Sequence, residues 1–329
     1  MTDSSREALI THFLEQAGWA DAQRSKLAGD ASFRRYDRLE GPKGRAVLMD
    51  APPPEEDIRP FVRVARHLTF LGLGAPRILA TDAETGFLLL EDLGDAIFTR
   101  VLCEGADETV LYSAAIDALA LLHKARTPDD IPPYDDDLLL FELSLLTDWF
   151  MPLAGLDLSP DGQKEFIRLW EELLPLARAV PDCVVLRDYH ADNLLWLPDR
   201  SGAASVGQLD FQDAVVGPLA YDIVSLLEDA RRDVAPATVP AVIDHYLDQM
   251  PDISREDFDT AYAVLGAQRN LKIAGIFCRL LSRDGKAAYQ DYMPRVWRHV
   301  ATDLCHPALE PLSAWLDRWI PPAARTRAA

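Results

Sequence analysis

Leu186-Arg187-Asp188-Tyr189-His190-Ala191-Asp192-Asn193, running on into the apolar Leu194-Leu195-Trp196-Leu197, is the stretch on which the reading of this chain turns. Asp188 and Asn193 stand five positions apart, the spacing by which a kinase catalytic loop offers one carboxylate to an acceptor hydroxyl and one amide oxygen to a metal ion. Further on, Gln208-Leu209-Asp210-Phe211-Gln212-Asp213 sets an acid at the end of a short apolar strand, 22 residues beyond Asp188. A single loop aspartate ordinarily caps a turn. Here two spaced motifs, each joined to a strand-like apolar run, point to shared chemistry.

That chemistry has definite needs. A phosphoryl group in transfer requires charge neutralisation, and Mg²⁺ takes hard oxygen ligands from a few side chains, water and phosphate. Asn193 and Asp210 are the candidate metal ligands. The acceptor hydroxyl must be oriented and must lose its proton late in the reaction, work for an ionised carboxylate close by. Asp188 is the candidate catalytic base and also an acceptor-side contact. ATP and Mg²⁺ are the expected cofactors. His190, in the same loop, is assigned no chemistry, since a histidine hydrogen-bonded for structure accounts for it.

Composition frames this reading. A chain of 329 residues exceeds a typical single core, so two lobes are expected. Hydrophobic residues at 49% and charged residues at 26% describe a globular protein rather than a disordered one. No apolar run approaches the ~18–20 residues needed to cross a bilayer, and no basic-then-apolar leader opens the chain, so a cytoplasmic location is the default. Cys103, Cys183, Cys278 and Cys305 are scattered, which suggests neither a disulfide framework nor a zinc site. A net charge of −20 argues against extended contact with nucleic acid or anionic membranes but does not choose a small-molecule substrate, and no obligate protein partner is inferred.

Outward from the motifs, the chain divides. Leu9, Ile10, Phe13, Leu14 and Ala17 recur at helical spacing up to Gly18. Ser32 to Leu39 and Arg45 to Asp50, separated by Gly41-Pro42-Lys43-Gly44, predict a hairpin. A helix bearing Ile58, Phe61, Val62, Ala65, Leu68 and Leu71 follows, then strands over Arg77–Thr81 and Phe87–Leu90. The polar joint Glu91-Asp92-Leu93-Gly94 marks the expected boundary between residues 1–93 and 94–329. From Val110 onward helical periodicity dominates, with one β-rich interruption over Val184–Leu197 and Val206–Phe211. The fold class is α+β.

L-R-D-Y-H-A-D-N-L-L-W, Q-L-D-F-Q-D and G-P-L-A-Y-D-I-V-S-L-L resemble the catalytic loop, metal-binding strand and following helix of aminoglycoside phosphotransferases and choline kinases. The resemblance implies a protein-kinase-like fold of two lobes, a small β-rich N-terminal nucleotide-binding lobe and a larger, mainly helical C-terminal lobe, with ATP in the cleft. It also implies that Asp222 braces the catalytic loop. A-G-D-A-S-F-R-R-Y, M-D-A-P-P-P-E-E-D-I-R-P-F, G-F-L-L-L-E-D-L-G and A-Q-R-N-L-K-I-A-G-I-F-C-R-L, with R-D-G-K, look like the bacterial anomeric N-acetylmuramate/N-acetylglucosamine kinases of cell-wall recycling. That narrower resemblance, from about Leu27 to Trp297, implies a sugar 1-phosphate product.

The chain also departs from the kinase pattern. Gly29-Asp30-Ala31-Ser32-Phe33 has one glycine where a G-x-G-x-x-G loop has three, so Asp30, Ala31 and Ser32 are expected to meet phosphate through backbone N–H groups and the Ser32 hydroxyl. Ala46-Val47-Leu48-Met49-Asp50 lacks the lysine expected on that strand. Arg34 or Arg35 on the neighbouring strand is the candidate replacement, and Arg34 is carried among the nucleotide-binding residues. Leu90, Glu91 and Leu93 are the expected adenine-binding hinge, through backbone groups and an apolar sandwich. On the acceptor side, Asp213, Gln268, Arg269 and Lys272 join Asp188. Arg269 and Lys272 share a helix face at i,i+3, where a cationic pair suits a lactyl carboxylate. Two other readings compete: a kinase of the same architecture acting on an aminoglycoside, choline or similar cation, and a nucleotide-binding scaffold without catalysis. The missing lysine favours the scaffold; the intact Asp188, Asn193 and Asp210 oppose it.

Overall fold

The computed structural model describes residues 3–27 and 33–325, and the chain forms two compact units. The first comprises residues up to Val101 together with Asp192–Asp213; the second comprises Leu102–Ala191 and the residues from Ala214 onward. The boundary expected at 93/94 therefore differs from the observed division, because a segment from the middle of the chain packs as part of the first unit.

In the first unit, strands β1 (Gln23–Lys26), β2 (Arg35–Gly41), β3 (Gly44–Asp50), β4 (Ile78–Asp82) and β5 (Phe87–Glu91) form an antiparallel sheet in the order β1-β2-β3-β5-β4. The predicted hairpin is present, with Gly41 opposite Gly44 at its turn. β1 was not legible in the sequence: its four residues, all exposed, have no apolar alternation. On β3 and β5 the two-residue side-chain period sorts the faces. Ala46, Leu48, Phe87 and Leu89 pack with Ile10, Phe13, Leu14 and Trp19 at helix α1 (Asp3–Gln16). Val47 and Leu90, one residue out of phase and opposite each other, face the other way. Helix α2 (Arg59–Phe70) buries Phe61, Val64, Ala65 and Leu68, and the Phe61 ring packs 4.8 Å from that of Phe211.

The inserted segment forms a hairpin of β7 (Leu194–Trp196) and β8 (Val206–Gln208), named after β6 below. Its seat is tight. Gln208 donates its backbone N–H to the Gly74 carbonyl at 2.8 Å, and a Cβ on Gly74 would lie 2.3 Å from the Val206 carbonyl oxygen, so only glycine allows this approach. Trp196 N–H reaches the Ala96 carbonyl at 2.7 Å.

The second unit is built from helices. α3 (Phe98–Cys103) leads into it, followed by α4 (Glu108–Lys124), α5 (Asp136–Leu145), a π-helical turn at Leu146–Phe150, the short α6 (Met151–Leu153) and α7 (Pro160–Ala177). A two-stranded sheet pairs β6 (Asp182–Val185) with β9 (Val215–Pro218) and precedes α8 (Ala220–Leu227) and α9 (Thr238–Gln249). The 30-residue α10 (Arg255–Asp284) is the spine, packing against α5, α7, α8 and α11 (Met293–Asp303); α12 (Glu310–Trp319) packs against α7. A Cβ at Gly275 would sit 2.3 Å from the Leu145 carbonyl, which explains the glycine where α10 crosses the π-helical turn. The expected β-rich interruption is thus divided, β6 and β9 in one unit and β7–β8 in the other. Among the described residues no helix is long and apolar enough to cross a membrane.

Candidate active site

The Asp188 loop leaves β6 through a strained turn. Arg187 has φ +70°, and Arg187 and Asp210 are the only non-glycine residues with positive φ among the described residues. Strain of this kind, of order 1–3 kcal/mol per residue, persists only where surrounding structure imposes it, and it concentrates at functional sites. Here the constraint is visible. Asp222 on α8, fully buried, accepts the backbone N–H of Leu186 at 2.6 Å and of Arg187 at 2.9 Å, while Ser225 Oγ donates to the Arg187 carbonyl at 3.1 Å. Tyr189 OH donates to the Ala115 carbonyl at 2.8 Å. Burial pushes the Asp222 carboxyl up to about 7 and nearby Asp188 adds to this, against the pull of the two N–H donors and Arg269.

A second buried acid holds the same loop from the side chain of Arg187. Glu142 on α5 accepts from Arg187 Nη2, from the Tyr134 hydroxyl and from Gln268 Nε2 at 3.2 Å, and lies 3.3 Å from Lys272 Nζ. Lys272 also donates to the Tyr221 hydroxyl at 2.7 Å. Burial disfavours the Glu142 carboxylate, but Lys272, Arg187, Tyr134 and Gln268 outweigh it and hold its pKa below the usual range. Burial likewise opposes the Lys272 ammonium, yet Tyr221 and Glu142, with a smaller contribution from Asp188, raise its pKa on balance. His190 is buried beside Arg231, whose Nη1 stands 3.3 Å from Nε2, and burial together with Arg231 and Arg269 pushes its pKa well below the ordinary value. A neutral, wedged imidazole is a structural part of the loop.

In the first unit, Asn193 and Asp210 line one cavity of about 290 Å³ with Leu90, Glu91 and Leu93, walled by Val47, Tyr36, Phe61 and Leu195. The β7–β8 hairpin brings the two motifs together, since Leu209 N–H bonds the Asn193 carbonyl at 2.9 Å. Asp210, with φ +57°, has a side chain 35% exposed; it accepts Gln212 Nε2 at 2.9 Å and Arg34 Nη2 at 3.3 Å. An amide and a carboxylate on a mainly apolar cavity are the donor set of a hard cation that completes its shell with phosphate and water, so these residues fit Mg²⁺. The segment 91–95 is anchored by arginines: Arg38 pairs with Asp92 at 2.9 Å and Asp95 at 2.8 Å, and the Glu91 carboxylate takes Arg77 at 3.2 Å and Arg200 at 2.9 Å.

The remaining expected residues fall as follows. Asp30, Ala31 and Ser32 lie outside the described residues. Asp213 is exposed and accepts Gln212 Nε2 at 3.1 Å. Gln268 and Arg269 differ from the expected substrate surface: they are 0% and 3% exposed, and Gln268 is held by Glu142 and the Leu139 carbonyl. Lys272 is 9% exposed and forms an internal ion pair. All three sit mid-helix in the spine of the unit, and the polar heads of Gln268 and Lys272 meet α5 and α8 rather than a free face. Glu142 was missed; it lies 45 residues before Arg187 and 130 before Lys272, in a segment whose only local signal is a buried polar position within an apolar helix.

An amide and a carboxylate on the cavity of the first unit, and a braced Asp-x-His loop in the second, are the parts that a phosphotransferase of the protein-kinase-like fold calls for. The chain belongs to the phosphotransferase enzyme family, whose profile matches residues 24–258. It is 38% identical to an N-acetylmuramate/N-acetylglucosamine kinase of Caulobacter vibrioides over 98% of this chain and 99% of that one, and 40% identical to one of Pseudomonas aeruginosa over 87% and 86%. Among solved structures, a choline/ethanolamine kinase family protein from Mesorhizobium loti shares the fold at 14% identity, with a TM-score of 0.64 and 96% and 99% of the two chains covered. The streptomycin-ATP-APH(2'')-IIa ternary complex does so at 16% identity, TM-score 0.60, over 94% and 98%. The protein is a kinase of small-molecule type.

Proposed function

We propose that the protein transfers the γ-phosphoryl group of ATP, with Mg²⁺, to the anomeric hydroxyl of N-acetylmuramate or N-acetylglucosamine, giving the sugar 1-phosphate in cytoplasmic recycling of peptidoglycan. The observation that carries this reading is near-full-length similarity to N-acetylmuramate/N-acetylglucosamine kinases combined with the braced Asp188 loop. Asp188 takes the acceptor proton as the new O–P bond forms. Lys272 and Arg187, tied together through Glu142, set the position and field of the Asp188 loop from behind. Asn193 and Asp210 hold Mg²⁺, which when bound neutralises charge on the phosphate oxygens. Leu90, Glu91 and Leu93, which line the cavity of the first unit, receive the base, and the Asp30-Ala31-Ser32 motif is the sequence's candidate for the phosphates.

The test is acceptor-dependent ADP release with Mg-ATP. Turnover is expected with N-acetylmuramate and N-acetylglucosamine and absent with their methyl glycosides, in which the anomeric hydroxyl is blocked. Turnover with kanamycin or choline alone would reject the sugar, and turnover with the methyl glycosides would reject the anomeric position.

A further inference from the structure

On the cavity face of the first sheet β3 presents no lysine, and the cation that shares the parity of Val47, Arg45, is paired with Asp92 at 3.5 Å. Val47 lines the cavity, and Met49, two residues on along the same face of β3, is an apolar side chain 1% exposed. Met49 stands opposite Tyr36 on β2, and Tyr36 and Arg38 both line the cavity, so the even-numbered side chains of β2 face it. Arg34, immediately before β2, has that parity, whereas Arg35 is exposed. The Arg34 side chain is 10% exposed, with Nη2 3.3 Å from Asp210 Oδ1 and Nε 3.8 Å from Glu56 Oε2. Glu56 Oε1 also accepts the backbone N–H of Phe33 at 3.2 Å, so one carboxylate holds both the backbone and the side chain at this point. The neighbouring cation, Arg38, is taken up by Asp92 and Asp95.

Resting on the reading that ATP is the phosphoryl donor, we propose that Arg34, positioned by Glu56, is the phosphate-binding cation that this chain uses in place of a lysine on β3. Its contact with Asp210 is exchanged for nucleotide phosphate when a metal ion takes that carboxylate. Glu56, Asp210 and Arg34 carry one net negative charge between them, which suits the arrival of a divalent cation. Once that cation is bound the corner carries one net positive charge, which suits phosphate. The exchange is cheap, because a pair whose carboxylate is one-third exposed holds little net energy. A guanidinium reaching from the next strand spans the offset that a lysine on β3 would not need.

Calorimetric titration with Mg-ATP and with AMP tests this without any acceptor. Arg34→Met is expected to weaken ATP binding 10- to 100-fold while AMP stays within about twofold, since only the outer phosphates are lost as partners. Glu56→Gln should fall between wild type and Arg34→Met, Arg34→Lys should retain part of the affinity, and Arg35→Met should bind like wild type. Moving the charge back to the strand, Arg34→Met/Met49→Lys, should recover at least tenfold of the loss. Arg34→Met that binds ATP as tightly as wild type, or that loses ATP and AMP alike with an unchanged melting curve, would overturn the assignment and leave the kinase reading standing. Wild-type protein that binds neither nucleotide would end both. Should the double variant not fold, the ATP-to-AMP ratio in Arg34→Lys and Glu56→Gln decides.

Discussion

Asp210 and Asp222 each follow a short strand, yet their surroundings are opposite. Asp222 is fully enclosed and its partners are two backbone N–H groups that cannot move without moving the loop. Asp210 is one-third exposed and its partners are the ends of two flexible side chains, Arg34 and Gln212. The same contrast holds between Glu142, buried beneath two cations, and Glu56, which is 20% exposed. Enclosed acids with fixed donors hold geometry, because breaking them strands a charge or an N–H away from water. Acids within reach of water can trade partners, because solvent compensates whichever partner leaves. One unit uses its acids to fix the Asp188 loop, and the other leaves Asp210 and Glu56 within reach of water.

The largest expected effect is at Asp188, the proposed base. Asp188→Asn should lower kcat by about 10²–10⁴-fold, the range for losing a general base, with ATP affinity within about twofold by calorimetry. A near-normal kcat would remove Asp188 from its role. Next, Glu142→Ala should cost about 3–5 kcal/mol in urea unfolding, since it leaves Arg187 and Lys272 buried beside a lost counter-charge. Loss below about 1 kcal/mol would show that the enclosed network does not hold the loop. The contrast sharpens at the paired aspartates. Asp222→Ala should cost about 2 kcal/mol of stability, because it leaves the buried backbone N–H groups of Leu186 and Arg187 without an acceptor. Asp210→Asn should change stability by no more than about 0.5 kcal/mol while reducing turnover at least 100-fold through loss of a metal ligand. A fall in both properties for both variants would erase the distinction.

A last expected effect concerns pH. His123 meets Tyr246 OH through Nδ1 at 2.7 Å, its Nε2 is buried without a partner among the described residues, and burial lowers its pKa to about 3. The folded state therefore favours the neutral ring. The stability this contributes is present above the ordinary histidine value near 6.5 and is lost as pH falls below it. Relative to His123→Gln, the wild type should lose about 1.4 kcal/mol for each pH unit below 6.5. Parallel pH curves would show that the ring titrates freely in the folded protein.

Much of this was legible in sequence where the signal is local. The hairpin at Gly41–Gly44 and the helix ending before Gly72 follow from periodicity and punctuation, and the Asp188–Asn193 spacing follows from the loop's own geometry. The exposed polar strand β1 carried no such pattern. Arg269 and Lys272 read as a cationic pair on one helix face, because helical periodicity reports which residues share a face and not what lies opposite that face.

By itself the sequence determined the phosphotransferase family, the α+β class and the absence of a lysine on β3, since each depends on residue types at fixed spacings along the backbone. Only the tertiary structure decided that Arg34 rather than Arg35 turns toward Asp210, that Glu142 gathers Arg187, Gln268 and Lys272, and that the β7–β8 hairpin belongs with the first sheet. Those outcomes come from pairings across tens to hundreds of residues, where burial and register choose among partners that the local pattern leaves equivalent.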